Sequence, residues 1–165
     1  MQNHITINLA PPTPEGQLVY TPDPEIEHYL VYLCSPVYTQ TAYQLETNEP
    51  ILFGLTSHCI LGKIKAALPK SIWVRDPVLV PPIPLYAANL RVDQQSIAQR
   101  SFDIDAQVTT SRPYDDVTVQ WAAAGRHAFW VALSDQCCAC IENNTLLGFF
   151  VFLDSRRFTQ YPSPS

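Results

Sequence analysis

Lysine is almost missing from this chain. Its 165 residues contain only Lys63, Lys65 and Lys70, and the arginines are scattered, with Arg156 and Arg157 the one adjacent pair. With 15 acidic side chains against 10 basic ones and a formal net charge of −5, no basic face is expected that could displace counterions from phosphates. Nucleic-acid binding is therefore not expected. Glycine is scarce too, at five residues, under half the usual ~7 %. Gly16, Gly54, Gly62, Gly125 and Gly148 are too far apart to build a G-x-G-x-x-G or P-loop phosphate cradle. The G-x-S-x-G and H-E-x-x-H signatures are absent as well. Charged residues make up 15 %, against about 25 % in an average domain.

Long apolar runs are also lacking. The longest, residues 146–153, includes Gly148 and falls far short of the roughly 20 residues a spanning helix needs, so no membrane role is expected. Met1-Gln2-Asn3-His4 does not begin a charged-then-apolar leader, which points to a cytoplasmic chain, or to a virion component if the gene is carried by a phage. In that setting the five cysteines are expected to be reduced, and the Asn143-Asn144-Thr145 sequon to be idle.

What abounds is proline, at 15 residues nearly twice the usual ~5 %. Proline fixes φ and removes a backbone donor, so long helices are disfavoured and extended connectors favoured. Residues 1–23 read as an extended N-terminal arm, with Ile5, Ile7 and Leu9 alternating as in a short strand before Pro11, Pro12 and Pro14. A second short strand fits residues 17–20. Residues 24–157 read as one α+β domain, β-dominant, and residues 158–165 as a C-terminal tail.

Two short helices are predicted in the first half. The first starts at Asp23 as N-cap and Pro24 as first helical residue, with Ile26, Tyr29, Leu30 and Leu33 on one stripe and Ser35-Pro36 as the stop. The second starts at Thr56 or Ser57, carries Leu61, Ile64 and Leu68 on one face and ends at Pro69, its lysines favoured by the helix C-terminus. From residue 71 onward the period becomes 2. Strands are predicted at 72–74, 78–80, 85–92, 102–109 and 117–121, and again at 127–133 after a turn near Gly125-Arg126 that suggests a hairpin. Residues 146–153 are apolar on both parities, as in a central strand covered on both faces. The fold class is thus two helices followed by a mostly antiparallel sheet or sandwich, with Pro-rich arms.

The sharpest local cluster is Cys137, Cys138 and Cys140, with Cys34 and His58-Cys59 elsewhere. Cys137 and Cys140 have the x2 spacing of a zinc pair, but no second pair completes it, so the metal candidates would have to recruit Cys34, His58 or Cys59. As an exchangeable dithiol the cluster has unfavourable flanks, because Asp135 and Glu142 raise thiol pKa. Buried small hydrophobes are the commoner use of such cysteines. On a helix His58 and Cys59 would point about 100° apart and form no dyad of their own, so His127 would have to be the partner. Asp103 and Asp105 read as solvated acids on the wet face of a strand, and Asp115 and Asp116 as turn residues after Arg112-Pro113-Tyr114. Trp121 and Trp130 could meet across the predicted hairpin, and Trp73 completes the set as core or as an interface anchor.

No catalytic residue, cofactor or resident metal is assigned on these grounds. The expected function is a non-enzymatic structural or assembly protein, one subunit of a larger complex of its own copies or other subunits, in concrete form a phage-like capsid cement, head–tail connector or tail protein. The alternatives are a small metal-binding or thiol-dependent enzyme centred on Cys137–Cys140, and a regulatory adaptor for one soluble protein.

Overall fold

Period-2 sequence dominates what forms. The computed structural model describes residues 4–12, 17–22, 27–33, 41–48, 51–69, 73–75, 81, 85–110, 116–158 and 160–161; for 17–22, 27–33, 67–69, 73–75 and 160–161 it describes backbone only. Among the described residues there are three sheets. The larger one runs β13(Phe129–Ala132), β14(Cys137–Glu142), β15(Thr145–Phe152), β12(Asp116–Gln120), β11(Gln107–Thr110), β7(Trp73–Arg75), and all these pairings are antiparallel except β11 with β7. The second runs β10(Ser101–Phe102), β4(Tyr43–Thr47), β5(Ile51–Leu55), β6(Leu61–Pro69), β3(Glu27–Leu33), β2(Gln17–Pro22), antiparallel except β10 with β4. A two-stranded ribbon joins β8(Leu85–Tyr86) to β16(Gln160–Tyr161).

β15 is the centre of the larger sheet, as its double-sided apolar pattern predicts. Phe149 and Val151 enter the main core with Val117 and Val119, and Phe53, Leu55 and Ile64 of the second sheet bury their side chains in the same core. Phe150 and Phe152 point the other way, into a smaller cluster with Leu85, Ala132, Cys138 and Phe158. The larger sheet is therefore apolar on both faces at this end, covered by the second sheet on one side and by residues 85 and 158 on the other.

β1(Ile5–Ala10) pairs with β15 at Ile5↔Leu146 and with β9(Asn89–Val92) at Ile7↔Val92, and Ile5 and Ile7 are buried. It takes over the edge of β15 where β12 leaves. β9 in turn meets the second sheet, where the Asn89 side chain donates to the Leu61 carbonyl at 3.1 Å, closing one corner between the two sheets. β2 and β16, in the stretches expected as arm and tail, likewise pair with strands of the same chain.

Two helices were expected in the first half, and neither forms. Residues 27–33 are β3, between β2 and β6, and residues 61–69 are β6. Tyr29, Val31 and Tyr32 are β-favouring types, and a run apolar on both parities satisfies a central strand as well as a helical stripe. In β6 the deciding pattern is Ile64 and Ala66 in the core with Lys63 and Lys65 half-buried between them, a period of 2 that a three-residue stripe over Leu61, Ile64 and Leu68 obscures. Lys63 and Lys65 therefore lie within a strand and do not serve a helix dipole; Lys70 lies outside the described residues. Among the described residues the helix is α1(Gln94–Gln99), whose N-cap Asp93 accepts a hydrogen bond from the Ser96 amide at 2.8 Å.

The expected hairpin between residues 117–121 and 127–133 is not made either. β12 pairs with β15, and β13 lies two strands further out, on β14. The strand expected at 102–109 is broken into β10 and β11 by residues 103–106, and that expected at 78–80 lies outside the described residues.

Candidate functional site

Strand alternation decides the cysteine cluster. On β14 the side chains of Cys137, Ala139 and Ile141 enter the main core, whereas Cys138 enters the cluster on the opposite face. The x2 spacing that suits a zinc pair on a turn puts Cys137 and Cys140 on opposite sides of a strand. Cys137, Cys138 and Cys140 are all buried. Burial pushes the Cys138 thiol well above its ordinary value, and the neighbouring Cys137 and Cys140 push it the same way. Burial also pushes Cys140 up, to about 11, and the neighbouring Glu142 carboxylate adds to it. Both are thus neutral thiols at neutral pH, the opposite of an activated nucleophile. Among the described residues no group of three or more His, Cys, Asp or Glu side chains is placed to hold a metal ion.

His58 and Cys59 sit in the turn between β5 and β6, not on a helix. Cys59 has φ 65° and is buried, its Sγ accepting a hydrogen bond from the Gln94 amide at 3.3 Å, while the Thr56 hydroxyl accepts from the His58 and Ile60 amides at 3.2 and 3.3 Å. His127 is at the other sheet, its amide donating to Glu142 Oε2 at 3.2 Å. Cys34 lies outside the described residues. Asp103 and Asp105 are in the link between β10 and β11 instead of on a strand, and the Asn48 side-chain amide donates to both, reaching Asp105 at 3.5 Å.

Asp116 begins β12 and is fully buried, not a turn residue; Asp115 lies outside the described residues. Arg156 Nη2 meets its Oδ2 at 2.9 Å, Arg156 Nε meets Asp154 Oδ2 at 2.8 Å, and the guanidinium lies 4.8 Å from the Phe152 ring centroid. Partial burial alone would lower the arginine, but the hydrogen bonds of the two carboxylates raise it. This cluster is a structural clasp between β12 and the segment after β15.

The two tryptophans are kept apart. Trp121 packs edge-on against Phe53 and Phe149 at centroid distances of 6.0 and 6.2 Å and donates from its indole nitrogen to the Leu146 carbonyl at 2.9 Å, a core role. Trp130 packs on the small cluster of the opposite face and lines a cleft. No protein-family model matches the chain, and no curated protein matches it significantly.

That cleft, about 610 Å³, lies over the outer face of the larger sheet and is lined by Asp105, Gln107, Thr109, Thr118, Gln120 and Trp130, with residues 121–124 along one wall. Its position follows from register. Val108, Val117 and Val119 point into the core, so Gln107, Thr109, Thr118 and Gln120 point out; Gln107 pairs with Gln120, and Thr109 with Thr118. The row containing Gln107 and Gln120 continues through Gly148 and Cys140 to Trp130, which places the indole on the same face. None of these outward-facing residues forms a periodic motif that composition would flag. The signal available in sequence was the alternation of 107–109 and 117–120, with polar residues on one parity.

A second feature adjoins it. Leu133 donates to the Cys137 carbonyl at 2.9 Å, so the inward-bonding positions of β13 are odd-numbered, and the backbone N–H and C=O of Trp130 point away from β14. On that side β8 runs alongside β13, with a parallel bridge Ala87↔Ala132 and the Ala88 amide donating to the Ala132 carbonyl at 3.1 Å. Phe129 on β13 and Tyr86 on β8 are nonetheless 43 % and 55 % exposed.

Proposed function

We propose that the chain is a non-enzymatic structural protein that assembles with copies of itself through the exposed aromatics of β8 and β13. The observation that carries this reading is the pair of large exposed aromatics on these neighbouring strands, Tyr86 at 55 % and Phe129 at 43 % exposure. Exposed apolar groups placed side by side mark a surface suited to a protein partner. Seating the same patch of a second copy on it about a two-fold axis would bury both rings of each chain. The titratable groups brought together in the described residues support it from the other side, since Asp116 and Arg156 clasp two segments and Cys138 and Cys140 are held neutral. In its concrete form we propose a virion component such as a capsid cement, head–tail connector or tail protein, located in the virion or the host cytoplasm.

Mass photometry and light scattering of the purified chain test the reading. A symmetric multimer is expected, and Phe129→Lys is expected to shift it to monomer with the melting temperature unchanged. A chain that stays monomeric at tens of micromolar, or that forms only a discrete 1:1 complex with one soluble protein, sinks it.

A further inference from the structure

Thr118 is 9 % exposed, lines the cleft, and among the described residues its Oγ1 has no hydrogen-bond partner. Buried hydroxyls are almost always paired, so an unpaired one at the wall of a cleft marks the place where a ligand atom or an ordered water belongs. The groups around it define which ligand. Among the described residues, no lysine or arginine lines the cleft, which leaves an anionic ligand without a counter-charge. Its one ionised residue, Asp105, is exposed at the rim and shared with the Asn48 amide, a poor anchor for a cation. The rest are neutral groups: the hydroxyls of Thr109 and Thr118 and the amide of Gln107 each donate and accept. Gln120 has its Nε2 committed to the Ala122 carbonyl at 2.7 Å, so its carbonyl oxygen serves as an acceptor. At the side stands Trp130, half-buried, with an electron-rich face suited to weakly positive C–H groups.

A ligand that carries hydroxyls able to donate and accept around its rim, and a flat face of C–H bonds, is a sugar. We propose that the cleft binds a neutral oligosaccharide, stacked on Trp130 and hydrogen-bonded by Thr118, Gln107, Gln120 and Asp105. The cleft volume of about 610 Å³ lies within the ~300–1,000 Å³ of small-ligand sites. The proposal does not depend on self-association, because Gln107 and Thr118 lie on β11 and β12, away from Tyr86 and Phe129.

The test titrates the purified full chain with maltotriose, cellotriose, chitotriose and β-mannotriose, followed by tryptophan fluorescence and saturation-transfer NMR, with a heparin hexasaccharide and spermidine as charged controls. At least one neutral trisaccharide is expected to bind in the millimolar range or tighter. Thr118→Val, which keeps shape and removes the unpaired hydroxyl, is expected to weaken that binding about tenfold while the melting temperature stays level or rises. Gln107→Ala, at an exposed position, is expected to weaken it several-fold without affecting folding. The proposal is overturned if no neutral sugar binds at ~10 mM, a saturation far weaker than typical specific sites. It is equally overturned if heparin or spermidine binds in their place, or if Thr118→Val raises stability and leaves sugar binding untouched, which would assign the hydroxyl to a water.

Discussion

The carboxylate of Asp116, with no exposed surface, is reached by Arg156 from forty residues further along the chain, Nη2 to Oδ2 at 2.9 Å. The pair ties the first residue of β12 to the segment that leaves β15. Because β12 and β15 are already hydrogen-bonded from Asp116↔Phe152 to Gln120↔Gly148, the clasp fixes the end of that ladder and lays the guanidinium over Phe152.

Removing the arginine leaves a buried carboxylate without its cation. Breaking a fully buried pair costs roughly 3–5 kcal/mol, and because Arg156 is 44 % exposed, water offsets part of this, so Arg156→Met is expected to lose about 2 kcal/mol. Urea denaturation reads it. Asp116→Asn together with Arg156→Met should lose less than Arg156→Met alone, since no charge is then stranded; a larger loss in the double variant would show that the carboxylate is held by its other contacts.

The thiols set an alkaline limit. With Cys138 and Cys140 raised in the folded state, the native chain holds protons that the unfolded chain releases, so stability is level below the ordinary thiol range. It then falls as pH rises from about 9 towards the folded value of about 11. Denaturant melts from pH 7 to 11 should show that decline, and Cys140→Ala should make it shallower. An identical slope in the variant would contradict the assignment.

Much of this architecture is legible in sequence, and the failures have a common cause. Residues 146–153 announce a central strand because Phe149, Phe150, Val151 and Phe152 leave no wet parity, and β12 and β1 follow from plain alternation. Residues 27–33 and 61–69 mislead because short apolar runs fit periods of 3.6 and 2 equally, and only pairing with neighbours far along the chain selects the strand. The helix at 94–99 was missed although Asp93 is a good cap, since Gln-rich residues carry no apolar stripe; only Ser96 and Ile97 are buried. For the cleft, polar parity on β11 and β12 was readable, but the juxtaposition with Trp130 requires a strand order that places β14 and β15 between them, which local pattern does not encode. The x2 cysteine spacing was readable too, and its meaning reversed once it proved to lie on a strand.

The turn joining β14 to β15 makes a further prediction. Asn143 and Asn144 have φ of 51° and 59°, both left-handed, as the two central residues of a hairpin turn that favours Asn-Gly. Asn144→Gly is therefore expected to be neutral or stabilising. Asn144→Val, a β-branched residue in that region, is expected to cost about 1–2 kcal/mol. The Asn144 carbonyl also accepts from the Ile7 amide at 2.8 Å, so hydrogen exchange at Ile7 should accelerate in the valine variant and not in the glycine one.

Gly148 offers the most severe single change. Its position on β15 faces β12 so closely that an added Cβ would lie 2.4 Å from the Val119 carbonyl oxygen and 2.8 Å from Gln120 Cα, both of them backbone atoms that no rotamer can move. Accommodating a methyl group there requires β12 to shift, at the point where β12 hands the edge of β15 to β1. Gly148→Ala is expected to destabilise by about 3 kcal/mol, the upper part of the range for overpacking. Because Gln120 lines the cleft, the same shift should move that wall, so the variant should lose oligosaccharide affinity as well as stability, whereas Asp93→Ala, which removes the α1 cap for about 1 kcal/mol, should lose stability alone. Thermal melts paired with the sugar titration separate the two. Equal loss of binding in both variants would mean that the cleft responds to overall stability rather than to the β12–β15 spacing.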